Sequence, residues 1–456
     1  MRKLICIGLV QVLLVLGGCG GGGGSGALTS GGGSSGSGSG NGGGSTSGSN
    51  VVAMAVNAGP GTGEDVDTPF ITVTVCAPGS TTNCAQISNI EVDTGSYGLR
   101  ILSSALSSSV IGSLTQENAS NSQPLVECTQ FVDGISWGPV MLADVQIGGE
   151  SASNVPIQVI GDSSFPDSGI PSGCLTNGTP EDTVAEFGAN GIIGVGPFAQ
   201  DCGSGCVLSN SQYAQDPSYY ACPSGGTSPN DCVATAPALE QQVTNPVVGF
   251  TSTGDDNGVI VQLPSVPDPD GAATESGYLV FGIGTQSNNS LGNATVLTGD
   301  GYGDISTMYD GTTLPYSYLD TGSNAYYFDA SGSSSIPDCA SSGGGSGGSG
   351  FSSSWLCPTS EQTINLTNEG QNGTSSNVSI KIYNATTLFN EDNATFTAFD
   401  DLGADTGSQS SLCTNYYQIN GDCYFDLGLP FFFGRNVYVA IAGYNTPGGE
   451  GPYFAY

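Results

Sequence analysis

The chain has 456 residues, with only five basic side chains against forty acidic ones and no histidine. Its formal charge of −35 at pH 7 repels nucleic acid and anionic membrane surfaces, so we expect no nucleic acid among its partners. The lack of histidine excludes Ser-His-Asp catalysis, Cys-His catalysis and histidine metal sites, and no phosphate-binding loop motif occurs. We therefore expect no cofactor and no metal.

The first nineteen residues have the layout of a secretory signal. Two cations precede an apolar run from Leu4 to Leu16, and thirteen residues are too few to span a membrane. The next residues, up to Cys19, complete the sequence LGGC, which resembles the bacterial lipobox. The resemblance implies a signal peptide at 1–18 and a lipidated Cys19. The alternative is an ordinary cleaved signal that leaves Cys19 as a spare thiol.

A glycine and serine tether follows the cysteine. Gly20, rather than aspartate, comes directly after Cys19, which resembles the outer-membrane sorting pattern of bacterial lipoproteins. We therefore expect an exported protein that is held in the cell envelope, at the outer membrane, through its lipid anchor only. The segment 19–50 is assigned to the lipidated cysteine and a tether, because Gly and Ser cannot bury apolar surface.

Beyond the tether, short β-branched and aromatic runs recur between Gly, Pro, Asn, Asp and Ser clusters, which predicts an all-β protein. One helical stretch is predicted near Ala236 to Val243, and Gly343 to Gly350 is predicted to be a surface insertion without fixed structure. The clear strands are predicted at Phe70 to Val75, Ile87 to Val92, Val140 to Ile147, Val155 to Ile160, Gly258 to Leu263, Tyr278 to Phe281 and Asn436 to Ile441.

The cysteines predict disulfides. Of fourteen, twelve remain once Cys6 leaves with the signal and Cys19 takes lipid, and an even number in an exported chain favours bridges. Spacing leaves the connectivity open, but close pairs are plausible bridges: Cys76 with Cys84, Cys222 with Cys232, Cys339 with Cys357, and Cys413 with Cys423. A zinc site is the alternative, less favoured in an oxidising compartment, and its ligands would be Cys202, Cys206, Cys222 and Cys232.

The tetrapeptide Asp-Thr-Gly-Ser occurs three times, starting at Asp93, Asp320 and Asp405. A hydrophobic strand runs into Asp93 and into Asp320, and an apolar segment leaves each serine, so both copies predict a strand that ends in a tight turn. Polar or small residues flank Asp405 on both sides. That copy predicts an acidic loop and a coincidental match, and we set it aside.

Paired carboxylates explain the first two copies. Amide hydrolysis without a metal or a covalent intermediate needs one carboxylate to deprotonate water and another to protonate or polarise the carbonyl. Two carboxylates held together share one proton and titrate as a coupled pair, so Asp93 and Asp320 are the predicted catalytic residues. The rest of each motif is predicted to support them: glycines that permit the turns (Gly95, Gly322), threonines that lock the turns together (Thr94, Thr321) and serines that hold the carboxylates (Ser96, Ser323).

With two such motifs in two β-rich halves, the chain resembles the pepsin-like aspartic proteases. Their opening hairpin resembles the stretch PFITVTVCAPGSTTNCAQISNIEVDTGS, and the segment beneath their first catalytic turn resembles GANGIIGVG. The entry to their second lobe resembles SGYLVFGIGTQSN, and their closing segment resembles FDLGLPFFFGRNVYVAIAG. The resemblance implies an all-β, bilobal pepsin-like (acid protease) fold, with two β-rich lobes, 51–250 and 251–456, around a central cleft. It also implies that Gly194 and Gly428 support the catalytic turns. The whole chain further resembles a family of uncharacterised Gram-negative lipoproteins that carry a domain of unknown function.

The chain departs from the pepsin-like pattern at two places. In those enzymes a tyrosine on a flexible hairpin closes over the substrate, whereas Phe131 falls near that position here. Trp137 or Tyr97 are possible substitutes, and the alternative for Phe131 and Trp137 is ordinary core packing. Asp426 stands where the second lobe is expected to have an apolar residue.

From these residues we expect an aspartic-type endopeptidase, a monomeric cell-envelope lipoprotein that cleaves an extended peptide or protein substrate with water activated between Asp93 and Asp320. The alternative is a catalytically silent pepsin-fold binding or inhibitor-like surface protein, because fold does not determine function. A structural or adhesive surface role is a third hypothesis.

Overall fold

The structure is a computed structural model. It describes residues 48–456 except 62, 64, 133, 177, 208–216, 331–332, 334, 340–353, 391–394 and 408–422. The predicted signal peptide, Cys19, nearly all of the tether and the insertion at Gly343 to Gly350 therefore lie outside the described residues. Within the described ranges, no helix has the length and apolar character needed to cross a membrane.

The described part of the chain is nearly all β-structure, as the sequence predicts. Its strands, in chain order, are β1 Val51–Val56, β2 Pro69–Cys76, β3 Cys84–Asp93, β4 Tyr97–Leu102, β5 Thr115–Gln116, β6 Leu125–Gln130, β7 Ile135–Ile147, β8 Glu150–Ile160, β9 Gly191–Val195, β10 Tyr219–Ala221, β11 Val233–Ala234, β12 Gly258–Leu263, β13 Glu275–Phe281, β14 Val296–Thr298, β15 Ile305–Tyr309, β16 Thr312–Leu319, β17 Tyr326–Phe328, β18 Ser354–Trp355, β19 Gln362–Glu369, β20 Ser375–Ile382, β21 Gly403–Asp405, β22 Asp426–Leu427, β23 Arg435–Ala440, β24 Asn445–Thr446, β25 Gly449–Glu450 and β26 Tyr453–Ala455.

Helices within the described ranges are short. The α-helices are α1 Ser108–Ile111, α2 Val184–Phe187 and α3 Ala385–Asn390. The 3₁₀ turns are Ser103–Ala105, Asp167–Gly169, Cys174–Thr176, Gly203–Gly205, Leu239–Gln241, Pro246–Gly249 and Leu429–Phe432.

All seven predicted strands are confirmed, but the predicted helix near Ala236 to Val243 is wrong. Only the 3₁₀ turn Leu239–Gln241 forms there. Gln242 is extended and fully buried, and its side-chain amide donates to the Gly203 carbonyl oxygen at 2.9 Å. The Val243 N–H donates to the Tyr219 hydroxyl at 2.8 Å. These tertiary hydrogen bonds replace the helical ones that local propensity favours.

The strands form the bilobal pepsin-like fold. A 16-stranded sheet contains the strands of the first half and continues through β1 into β13, β12, β23, β26 and β14 of the second half. The β1–β13 pairing, from Val51 opposite Val280 to Val56 opposite Glu275, joins the two halves. An 8-stranded sheet, in the order β18-β21-β17-β22-β16-β15-β19-β20, contains the other strands of the second half apart from the β24–β25 pair.

The core holds the ends of the two strands that carry the predicted catalytic residues. Val92, before Asp93, and Leu319, before Asp320, are fully buried in one hydrophobic cluster that extends through both halves of the chain. Burial of these apolar strand residues removes surface from water at about 25 cal/mol per Å² and anchors the following turns.

Disulfides stabilise the described part of the chain. Three predicted bridges are confirmed, Cys76–Cys84, Cys222–Cys232 and Cys339–Cys357. The zinc alternative is wrong, because its four sulfur atoms are used in Cys222–Cys232 and in Cys202–Cys206. Spacing did not point to Cys128–Cys174, which closes a longer loop. Cys423 is disulfide-bonded, whereas Cys413, its predicted partner, lies outside the described residues.

Candidate active site

Asp93 and Asp320 occupy equivalent places in the two halves. Asp93 is the last residue of β3, and Asp320 comes directly after β16. Both side chains are fully buried. Each aspartate therefore stands where an apolar strand ends and a Thr-Gly-Ser turn begins.

A third strand passes beneath each turn. In the first half, β9 runs parallel to β3 and antiparallel to β4, and its Gly194 lies opposite both Asp93 and Gly98. In the second half, β22 has the same relation to β16 and β17. The Gly196 N–H donates to Ser96 O at 2.9 Å, and the Leu429 N–H donates to Ser323 O at 2.7 Å. The two turns are thus built by the same topology.

The turns leave no room for a side chain at Gly194 or Gly428. A Cβ atom on Gly194 would lie 2.3 Å from the Tyr97 nitrogen, and a Cβ atom on Gly428 would lie 2.1 Å from the Ala325 carbonyl oxygen. Such distances are far below van der Waals contact, so both positions require glycine.

The two threonines lock the turns to each other. Thr94 Oγ1 donates to Leu319 O at 2.9 Å and accepts from the Thr321 N–H at 3.0 Å. Thr321 Oγ1 donates to Val92 O at 2.6 Å and accepts from the Thr94 N–H at 3.1 Å. Four buried hydrogen bonds therefore fix one half against the other at the aspartates.

The carboxylates face each other across this lock. A Cβ atom on Gly95 would lie 2.6 Å from Asp320 Cγ, and one on Gly322 would lie 2.8 Å from Asp93 Cγ. Each carboxylate also accepts from the backbone of its own turn, Asp93 Oδ1 from the Gly95 N–H at 2.7 Å and Asp320 Oδ1 from the Gly322 N–H at 2.8 Å. The glycines bring the two acids into one site.

The two serines differ in their contacts. Ser323 Oγ donates to Asp320 Oδ2 at 2.8 Å. The hydrogen bond from Ser96 to Asp93 lowers the pKa of that carboxyl, but it is weaker in geometry, because no bond of ordinary length and angle joins the two buried side chains.

Burial and charge raise the pKa of both carboxyls. For Asp93, burial raises the pKa, and hydrogen bonds, including one from Asp320, partly oppose this. For Asp320, burial and then repulsion by the Asp93 and Asp426 carboxylates raise the pKa well above its usual value. Repulsion by Asp426 places the shared proton on Asp320, which leaves Asp93 ionised and able to accept a proton.

Asp426 is a third buried carboxylate at this site. It lies on β22 opposite Tyr318, within the strand pairing that supports the Asp320 turn. The sequence marked it as an unexpected charge in an apolar position, and the structure gives that charge an electrostatic effect on Asp320.

We predict that Asp426→Asn lowers the pH at which the pair of Asp93 and Asp320 loses its shared proton, measured by titration of the two carboxyls. The substitution removes a negative charge that raises the pKa of Asp320. Asp405→Asn is the matched control, because Asp405 is also buried and does not contribute to the Asp320 shift. An unchanged titration of the pair in Asp426→Asn would contradict this role.

Asp405, in the third motif, has a structural position. It ends β21, and its Oδ1 accepts from the Ala330 N–H at 2.8 Å and the Gly407 N–H at 3.1 Å. Asp405 is therefore a buried strand end that holds the neighbouring backbone, rather than the acidic loop that its sequence context predicts.

Phe131 and Trp137 are packed in hydrophobic clusters. Phe131 is 1% exposed and makes an edge contact with Phe187, and Trp137 is 3% exposed and makes an edge contact with Tyr220. This burial favours the core-packing alternative over a flap. Tyr97 makes an edge contact with Phe198.

Comparisons with known proteins give a family and a distant structural likeness. A family model described as "Protein of unknown function (DUF3443)" matches residues 46–456. The chain is similar to a solved aspartic proteinase from Irpex lacteus at 15% identity and a TM-score of 0.46, over 89% of this chain and 96% of that chain. That likeness is too distant to transfer chemistry. A comparison with curated proteins found no match.

Proposed function

The chain belongs to the DUF3443 family of proteins of unknown function, and we propose that it is an aspartic-type endopeptidase that cleaves extended peptides. One observation carries this proposal: two buried carboxylates from equivalent turns meet at a site that four threonine hydrogen bonds hold in place. Burial of two facing carboxylates is costly. General acid–base catalysis by an aspartate pair requires two adjacent carboxyls, whereas a purely structural role does not.

The proposed reaction uses each carboxyl in the state that its surroundings favour. Asp93 accepts a proton from a water molecule, and the water oxygen attacks the peptide carbonyl carbon while Asp320 donates its proton to the carbonyl oxygen. The tetrahedral intermediate then collapses as the amide nitrogen takes a proton from Asp93 and the C–N bond breaks. One hydroxyl of the intermediate gives its proton to Asp320 as the carbonyl re-forms, which restores the singly protonated pair.

We further propose that the protein is an exported lipoprotein, attached to the outer membrane through Cys19, and that it works as a monomer on peptide or protein substrates. The signal-like N-terminus supports export, and the disulfides fit an oxidising compartment. The acidic surface and the tether fit a soluble body that extends from a membrane.

A catalytically silent binding protein is the second candidate. The observation that favours it is the burial of Phe131 and Trp137, the two residues predicted to form the flap over the aspartates. Such a protein would bind a partner in the cleft without cleaving it.

Peptide cleavage separates the two candidates. The purified chain is incubated with denatured protein and a peptide library from about pH 3 to about pH 7, with and without a statine-type inhibitor, whose hydroxyl mimics the tetrahedral intermediate. We expect acid-favoured cleavage that the inhibitor blocks. Inhibitor or peptide binding without cleavage at any pH would support the binding protein instead.

A further inference from the structure

A second acidic cluster lies in the C-terminal half, apart from the paired aspartates. Asp268 lies between β12 and β13, Glu361 directly precedes β19, and Asp401 lies just before β21. One carboxylate oxygen from each lies within 4.8 Å of the others. Distant segments of the chain therefore bring three oxygen ligands to one point.

Asp401 is buried in this cluster without a partner. Its side chain is 1% exposed, and both carboxylate oxygens lack a hydrogen-bond partner among the described residues. Asp400 Oδ1, in the preceding residue, is also buried without a hydrogen-bond partner among the described residues. Buried polar atoms are nearly always hydrogen-bonded, and an unpartnered carboxylate is especially costly. Two unpartnered oxygens that face two further carboxylates form a ligand set suited to a cation.

The nearby lysine does not supply that cation. Lys381 Nζ forms ion pairs with Asp268 Oδ2 and, at 3.1 Å, with Glu361 Oε1 on the exposed side of the cluster. A single ammonium leaves the buried carboxylate uncompensated.

We propose that Asp268, Glu361 and Asp401 bind a divalent cation of the calcium class, with Lys381 as the competing internal cation. The ligand set contains only carboxylate oxygen, which hard cations prefer. Three carboxylates that each bind through one or two oxygens leave other coordination positions of the cation to water. Asp268 is exposed, so the cation reaches the buried Asp401 from solvent. The proposal is independent of the peptidase activity.

The cation would connect parts of the fold that meet here. The segment before Asp401 contacts the first half of the chain, because Asp67 Oδ1 accepts from the Phe399 N–H at 2.7 Å. It also pairs with the Asp268 loop through hydrogen bonds between Ala272 and Ala398 at 2.8 and 3.1 Å. A ligand that binds only the folded state raises stability by mass action, so calcium should raise the melting temperature.

Calcium titration of the EDTA-treated full chain tests the proposal. In about 0.15 M NaCl, which screens diffuse attraction to an acidic surface, we expect saturable binding by calorimetry with a rise in melting temperature. Asp401→Asn should weaken calcium binding by about tenfold or more, as expected for loss of a ligand. Glu240→Gln is the control, because Glu240 is an exposed carboxylate outside the cluster and should leave both quantities unchanged.

Two further variants keep the test decisive. Asp268→Asn changes an exposed ligand and repeats the test if Asp401→Asn does not fold. Lys381→Met removes the competing ammonium and should tighten calcium binding, whereas a purely structural ion pair predicts no gain. The proposal fails if wild-type protein shows no saturable calcium binding, or if Asp401→Asn and Asp268→Asn bind calcium as wild type does.

Discussion

Asp93→Asn and Asp320→Asn are each expected to lower kcat for peptide cleavage by about 10²–10⁴-fold, the range that general acid–base catalysis contributes. Asparagine has nearly the same shape as aspartate, but its amide neither accepts a proton from water nor donates one to a carbonyl at these pH values. The backbone N–H groups of Gly95 and Gly322 still find an oxygen acceptor, so the turns should keep their structure.

The chain provides a matched control in its third motif. Asp405→Asn makes the same change in the same tetrapeptide, where the carboxylate oxygen accepts two backbone hydrogen bonds that an amide oxygen can also accept. We expect it to retain full activity. Cleavage by Asp93→Asn or Asp320→Asn at the wild-type rate, with all three variants folded, would remove these carboxylates from the mechanism.

Arg100→Met is expected to lower the free energy of unfolding by about 3–5 kcal/mol, the usual cost of breaking a buried ion pair from one side. Arg100 is fully buried on β4, the strand that follows the Asp93 turn. It donates to Glu127 Oε1 at 2.6 Å, to Thr129 Oγ1 at 2.8 Å and to Tyr97 O at 2.8 Å. Its loss would leave Glu127, also fully buried, uncompensated.

Urea unfolding of wild type and variants measures this loss. Glu127→Gln combined with Arg100→Met should recover part of the lost stability, because it also removes the stranded charge. Arg435→Met is the control at an arginine that is partly exposed and stacks on Phe431, with 4.4 Å to the ring centroid, and it should cost less. A change of less than about 1 kcal/mol in Arg100→Met would show that the network does not hold the first lobe together.

Local sequence patterns predicted the parts of the fold that local chemistry determines. The apolar runs that end at Asp93 and Asp320 form buried strands, and the glycines beneath the turns stand where no Cβ atom fits. The hydroxyl lock between Thr94 and Thr321 followed from the requirement that two equivalent turns meet. The paired turns could be predicted because the same motif occurs twice in similar sequence contexts.

Interactions between distant and dissimilar segments could not be predicted. Glu127 and Asp201, the acidic partners of Arg100, come from separate strands and loops. A basic residue within the apolar strand YGLRIL was the available signal that a buried partner exists. The cluster around Asp401 left no signal, because acidic residues are common throughout this chain. Asp426 was noticed as a misplaced charge, but its proximity to Asp320 required the structure.

The central claim is that Asp93 and Asp320 activate water by sharing one proton, and the pH dependence of kcat/KM for one peptide substrate tests it most directly. From about pH 3 to about pH 9, we predict a bell-shaped profile, because the pair is inactive when doubly protonated and inactive when doubly ionised. Asp93→Asn and Asp320→Asn should lack this profile. Cleavage that stays constant to the alkaline end, or a bell that persists in either variant, would contradict the claim.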